Sequence, residues 1–255
     1  MKKPAEVMPL PTAEIFQLLQ DNPLLATFSL IGGTGLSLHI GHRISEDLDF
    51  VTTTPKLPRA ALQKLKESLQ IANHCITPIV NPEGSDDFLN AGMDIQDYSQ
   101  NWLIDNNVKI TFFTADQHHK EILGKTGATS GFAVAPLLQI AQLKAIVACS
   151  RSKSRDWIDL FLLEKNHQFG VTQWREAYEK AGLTSLHFEN ALNRICSGKP
   201  QKGDEGFHML LPNPPSIEEI AKHFQILRKT YEVTAAKEAL TKKPIEKTDS
   251  PGSLG

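Results

Sequence analysis

Apolar and polar positions along this chain switch repeatedly between a helical and a strand period. Over residues 12–20 the spacing is helical: Ile15, Leu18 and Leu19 share a face, and Thr12 stands where a cap belongs. The apolar run over 24–31 predicts a strand that stops at Gly32-Gly33. Thr34 then caps a short helix with Leu36, Leu38 and Ile40 on its apolar side. The period drops to two at Asp47-Leu48-Asp49-Phe50-Val51, which puts both aspartates on one strand face and Leu48 and Phe50 on the other. Pro58 opens a helix over 59–70, with Leu62, Leu65 and Leu69 turned inward and Lys64, Lys66 and Glu67 on its solvated side. Residues 74–80 read as a strand that Pro78 confines to a sheet edge. Trp102 and Ile104, then Val108, Ile110 and Phe112, alternate on either side of Asn106-Asn107, a pair able to take the positive φ of a tight turn.

Beyond residue 115 the helical period takes over. A short helix over 115–123 is followed by a Gly-, Thr- and Ser-rich stretch, 124–131, which reads as a linker. Pro136 opens a helix so densely apolar that most of its sides must be buried. Serines at 150, 152 and 154 break it, and Ser154 can cap the next helix. Helical spacing recurs over 171–180 and 186–196, and 198–213 reads as a loop. Ser216-Ile217-Glu218-Glu219 has the form of a capping box and starts a long helix. The pattern predicts a mixed α/β domain over 1–130, an all-α bundle over 131–240, and a disordered tail over 241–255 rich in Lys, Pro, Gly and Ser. Loop composition also marks 81–87.

Composition narrows the partners. A formal net charge of −2 gives no global basic footprint, so any nucleic-acid contact must come from a local patch. No apolar run is long enough for a membrane span, and the two N-terminal lysines have no apolar segment behind them that would make a signal peptide. Cys75, Cys149 and Cys196 are widely spaced, form no metal pattern, and read as buried small hydrophobes in a reducing cytoplasm. His118 and His119 are neighbours that point to different faces, and read as surface residues.

The chemistry concentrates in residues 29–50. Glycines ahead of a helix N-terminus let the backbone approach a phosphate, and the free N–H groups there favour negative charge. Two carboxylates two residues apart on a strand lie roughly 6–7 Å apart at their Cα atoms and can converge on one hard cation. Mg²⁺ takes one or two carboxylates, several waters and substrate phosphates. Gly32-Gly33-Thr34 beside Asp47-x-Asp49 is therefore a candidate metal–triphosphate site. Either half alone is commonplace: most Gly-Gly pairs are plain turns and most Asp-x-Asp pairs a solvated strand face.

Taken together, Ile31-Gly32-Gly33-Thr34, Gly41-His42-Arg43, Ser45 and Asp47-Leu48-Asp49-Phe50 resemble the signature of polymerase-beta-type nucleotidyltransferases, in the wording of their AbiEii branch. These are bacterial toxins of abortive-infection and toxin–antitoxin systems. A second segment carries the same resemblance: Lys144 on a helix, Arg151, then Arg155-Asp156-x-x-Asp159. The resemblance implies a polymerase-beta-like core plus a helical bundle. It implies Asp47 and Asp49 as catalytic metal ligands for Mg²⁺ or Mn²⁺, and Gly32, Gly33, Thr34 and Arg43 as nucleotide-binding. Lys144 and Asp156 face the nucleotide in this reading, while Asp159 is open to a plainer role, an ion pair with Arg155 one turn back. Arg151 and Lys153 can equally be loop charges, and Lys144 a snorkelling lysine at a helix rim.

The implied reaction moves a nucleotidyl group from a nucleoside triphosphate to an acceptor hydroxyl, with a tRNA end, another RNA or a protein side chain as acceptor and a cognate antitoxin as partner. One departure stands out. The superfamily carries a third carboxylate on a later strand, but the polar face here offers Lys109 and Thr111, and Asp94, Asp97 and Asp105 are not in the expected setting. The general base is left open. A catalytically inactive nucleotide- or partner-binding member of the fold, or a small-molecule nucleotidyltransferase of the antibiotic-modifying kind, are the alternatives.

Overall fold

A computed structural model describes residues 1–79, 88 and 91–241. The expected loop over 81–87, the last residue of the expected strand at 74–80, and all but the first residue of the expected tail lie outside the described residues.

Six strands form one mixed sheet: β1 (Ser29–Ile31), β2 (Leu48–Thr52), β3 (Ile76–Pro78), β4 (Ser99–Ile104), β5 (Val108–Thr114) and β6 (Ala133–Val134), in the order β3-β4-β5-β2-β1-β6. β2 runs antiparallel to β1 and parallel to β5, with Asp49 opposite Thr111. β3 is an edge strand, as Pro78 demands. Ten α-helices flank the sheet among the described residues: α1 (Pro4–Val7), α2 (Leu10–Gln20), α3 (Gly32–Ile40), α4 (Arg59–Ile71), α5 (Gln117–Leu123), α6 (Leu137–Val147), α7 (Ser154–His167), α8 (Val171–Lys180), α9 (Ser185–Ser197) and α10 (Ile217–Thr241).

Strand alternation divides the interior into two cores. Leu48, Phe50, Ile110 and Phe112 face one way and are buried with α2 and α4, where Phe50 stacks on Phe112 with ring centroids 5.3 Å apart. The opposite face carries Asp49, Lys109, Thr111 and Phe113 toward the helical half. A second core joins Ile31, Leu36 and Val51 of the sheet side to Trp157, Trp174 and Phe224 of the bundle. α3 packs directly on α6, and β6, at residues 133–134, adds the start of the helical half to the sheet edge. The two halves thus share apolar contacts across the cleft between them.

Several expected elements differ in detail. The strand expected over 24–31 shortens to Ser29–Ile31, because Asn22 caps a 3-10 turn at Pro23–Leu25 by accepting from the Leu24 N–H, 3.0 Å. The hairpin turn takes its positive φ one residue earlier than expected, at Asp105 (φ 52°) and Asn106 (φ 54°). The stretch 124–131 is docked rather than free: the Gly127 N–H donates to Ser29 Oγ (3.1 Å), Ala128 N–H to Ala26 O (3.0 Å), and Thr126 Oγ1 to Thr27 O (3.0 Å). The cysteines are free but not buried, with Cys75 exposed and Cys149 and Cys196 half-buried. The capping box at Ser216 forms as expected, the Glu219 N–H donating to Ser216 Oγ at 3.1 Å and the Ser216 N–H to Glu219 Oε2 at 2.6 Å. Among the described residues no helix is long and apolar enough to cross a membrane.

Candidate active site

Between sheet and bundle lies a cleft of about 550 Å³. Its floor is built where β1 ends. The helix α3 begins at Gly32, three residues earlier than a Thr34 cap would place it, and Ile31 is the cap residue. Gly32, Gly33 and Thr34 thus form its first turn, where N–H groups have no intrahelical partner. Gly32 sits at φ +70°, and a Cβ there would run into the Asp49 carboxylate. A Cβ on Gly33 would meet the Arg43 guanidinium and lie 2.9 Å from Ser45 Oγ. Bare backbone at these two positions keeps the helix start against Asp49. Gly32→Ala is expected to destabilise the fold by about 1–2 kcal/mol from the left-handed backbone alone, and to push Asp49 aside. Thermal melts beside a nucleotide-binding titration check this, and unchanged melting and binding would refute it.

Thr34 is fully buried, and its hydroxyl is already used. Oγ1 donates to the Asp47 carbonyl and accepts from the Ser45 hydroxyl (2.9 Å), which pins the segment that presents the Asp47 side chain. What Thr34 can offer a phosphate is its backbone N–H. Asp47 and Asp49 both line the cleft. Burial, and then the neighbouring Asp47 charge, push the Asp49 carboxyl above the usual range, while Lys144, Lys109 and Arg151 act in the opposite sense. Two hard carboxylates pressed together in one cleft suit a divalent cation. Among the described residues no group of three or more His, Cys, Asp or Glu is placed to hold a metal, so further oxygens must come from water or a phosphate. That donor set fits the coordination habit of Mg²⁺.

The opposite wall comes from α6 and α7. Lys144 is buried, and its Nζ lies 2.8 Å from Asp156 Oδ1 and 2.8 Å from Asp159 Oδ2. Burial would lower its pKa, but these two carboxylates outweigh burial and hold it above the usual lysine range. Asp156 also accepts from Arg151 Nε at 2.7 Å. Burial alone would push the Asp156 carboxyl up, but the Lys144 and Arg151 charges hold it below its usual range. Lys144, Arg151 and Asp156 all line the cleft.

Asp159 is sealed beneath that wall. It does not pair with Arg155, as the one-turn spacing suggested. It accepts instead from Arg43 Nε (2.7 Å) and from His42 Nε2 (2.7 Å), both on the chain leaving α3, which outcompete a partner on its own helix. Arg43 is buried, with Nε and Nη2 on Asp159 and Nη1 on the Ile44 carbonyl, 3.0 Å. It lines the cleft from beneath Gly33 as a strut between the glycine turn and α7. Arg155 turns to Glu205 (3.1 Å) and Glu46 (3.5 Å).

Two features of the site escaped the sequence. The loop after α9 forms one rim, with Gln201, Gly203, Asp204 and Glu205. The start of α7 is capped by Asp204, not by Ser154: the Ser154 N–H donates to Asp204 Oδ1 at 3.1 Å and its hydroxyl to the other oxygen. The buried Phe207 and Leu210 in this polar loop were the available signal that it folds back onto the domain. His119, read as a surface residue, is half-buried and lines the cleft beside Phe113, because Asp116 caps α5 and draws the ring inward.

The family model described as "Nucleotidyl transferase AbiEii toxin, Type IV TA system" matches residues 15–250. No curated protein matches the sequence. Among solved structures, a putative nucleotidyltransferase from H. pylori is 18% identical, with 89% of this chain and 96% of that one covered and a TM-score of 0.48. JHP933 from Helicobacter pylori is 17% identical, covering 90% and 97%, with a TM-score of 0.41. The MenT4 nucleotidyltransferase toxin of Mycobacterium tuberculosis is 12% identical, covering 82% and 77%, with a TM-score of 0.44.

Proposed function

Because the chain belongs to the AbiEii family of nucleotidyltransferase toxins, we propose that it moves a nucleotidyl group from a nucleoside triphosphate to an acceptor hydroxyl and releases pyrophosphate. The acceptor we propose is an RNA, such as a tRNA end, or a protein side chain. A toxin role in a Type IV system carries with it a cognate antitoxin. The observation that supports this reading is convergence: the α3 N-terminus, Asp47 and Asp49 meet Lys144, Arg151 and Asp156 across one cleft.

Asp47 and Asp49 would hold Mg²⁺, which would supply Lewis-acid stabilisation of charge on the phosphates. The N–H groups of Gly32, Gly33 and Thr34 seat the terminal phosphates at the positive end of α3. Arg43, Lys144 and Arg151 outnumber Asp156 and Asp159 by one charge, and His42 is kept neutral mainly by burial. Arg43 and Lys144 are shielded from water, where charge acts more strongly than in bulk solvent, and the exposed Arg151 adds its charge at the mouth of the cleft. The protein's part is positioning and electrostatics.

The test is incubation with each α-labelled nucleoside triphosphate and total RNA, comparing the wild type with the Asp47→Asn, Asp49→Asn double variant. Label is expected in RNA only with divalent metal and only with the wild type. The absence of transfer with every nucleotide, or equal labelling by the double variant, would overturn the proposal. One observation favours a second reading, an inactive nucleotide-binding member: Lys109 and Thr111, not an acid, lie on the strand beside Asp49. That reading predicts nucleotide binding with no transfer.

A further inference from the structure

Nucleotidyl transfer needs a proton acceptor, and most acidic groups in the cleft are already engaged. Asp156 accepts from Lys144 and Arg151. Asp204 accepts from the start of α7 and from the Gly206 N–H. Glu46 and Glu205 both face Arg155. Asp47 and Asp49 form the pair assigned to metal, and Lys109 and Thr111 leave β5 without an acid.

His119 is different. Its Nδ1 lies 2.7 Å from Asp116 Oδ1, and the same oxygen takes the His119 backbone N–H at 2.8 Å. The Asp116 carboxyl is lowered to about 2, chiefly by its hydrogen bond from His119, so it is a carboxylate at neutral pH. A carboxylate only accepts, so Nδ1 must carry the hydrogen. In the neutral ring the lone pair therefore sits on Nε2. That atom has no protein partner among the described residues, and it is not among the sealed polar atoms that lack one. The ring stands edge-on to Phe113, centroids 6.5 Å apart. Phe113 is two residues beyond Thr111, the cross-strand neighbour of Asp49, and on the same sheet face. The imidazole thus lines the cleft along the strand from Asp49.

We propose that His119, fixed in one tautomer by Asp116, is the catalytic base that takes the proton of the acceptor hydroxyl. This rests on the nucleotidyltransferase reading above. As the hydroxyl oxygen bonds to the α-phosphorus, its proton passes to Nε2. The bond from the α-phosphorus to the bridging oxygen of the β-phosphate breaks, and pyrophosphate leaves with the electron pair. The imidazolium then returns the proton to water. A nucleophile, a base beside it and a third group orienting that base is the general pattern of an activated hydroxyl.

The test combines nucleotide binding by calorimetry with single-turnover transfer of label from α-labelled nucleoside triphosphates to total RNA. Wild type, His119→Ala, His119→Gln and Asp49→Asn are compared. Both His119 variants are expected to keep nucleotide affinity within about threefold while losing about 10²–10⁴-fold in transfer rate. Free imidazole should restore part of the His119→Ala rate and none of the Asp49→Asn rate. The glutamine variant guards against misfolding, since it keeps a polar side chain and should melt with the wild type. Transfer within about threefold of wild type, a rate loss matched by lost nucleotide affinity, or no imidazole rescue would each overturn the assignment. A wild type that binds nucleotide but transfers nothing would remove the underlying reading, and this one with it.

Discussion

Asp49→Asn is expected to raise the melting temperature while reducing nucleotidyl transfer by about 10³-fold or more. The stability half follows from the carboxyl's raised pKa, caused first by burial and then by Asp47. For an acid raised in the folded state, the native protein binds the proton more tightly than the unfolded chain. Stability then falls as pH climbs from the unfolded pKa through the folded one, because ionisation is disfavoured in the fold. Ionisation of Asp49 is thus a cost that asparagine removes, and the gain should shrink on acidification. The catalytic half rests on the metal role proposed for the pair: a neutral amide is a poor ligand for a hard cation, and Asp47 alone would have to hold it. Melting curves between pH 4 and pH 8, with and without Mg²⁺ and a nucleoside triphosphate, separate the two. Metal with nucleotide should stabilise the wild type and not the variant. A variant that melts lower at pH 7 and is indifferent to acid would contradict the strain seen at this carboxyl.

The sequence was most legible where period and chemistry coincide. Alternation around Leu48 and Phe50 placed both aspartates on the cleft side, and the diglycine marked where the strand gives way to a helix. Lys144 stands out as a charge inside an apolar helix, whereas Asp156 is singled out only by the family resemblance of Arg155-Asp156-x-x-Asp159. What stayed hidden is long-range pairing. Asp159 finds Arg43 and His42 more than a hundred residues upstream, and nothing in its neighbourhood distinguishes that from a local pair with Arg155. Asp204 caps a helix that begins fifty residues earlier, from a loop whose composition suggests only solvent. His119 looked like half of a surface pair because helical spacing says which face a residue occupies, not what that face meets. Stretch 124–131 looked like a linker because Gly and Ser are read as flexibility, whereas here they permit close docking against the start of β1.

Asp159→Asn is expected to cost about 3–5 kcal/mol, the usual penalty for breaking a buried charge pair from one side. The residue is fully buried and gathers three partners from two places: His42 and Arg43 after α3, and Lys144 on α6. Asparagine has almost the same shape, so little packing is lost. What goes is the charge, which leaves Arg43 with its guanidinium desolvated and Lys144 with Asp156 alone. At about 2–4 °C per kcal/mol for a chain of this size, melting should fall by roughly 6–20 °C. Burial pushes the Asp159 carboxyl up, but the Arg43, Lys144 and His42 side chains hold it well below its usual range. Its contribution is therefore present above the unfolded pKa and lost as pH falls through the folded one. The gap between wild type and variant should accordingly narrow in acid, below about pH 4. Transfer should fall as well, because Arg43 underlies Gly33 and Lys144 lines the opposite wall, so both walls of the cleft shift together. Replacing Arg43, Lys144 and Asp159 together by apolar residues of similar volume isolates the cause. Buried ion pairs are often dispensable for stability when all members go, so the triple variant should melt closer to the wild type than Asp159→Asn does, yet transfer nothing. If the single variant melts within about 1 kcal/mol of wild type, the network does not join the two halves as its geometry requires.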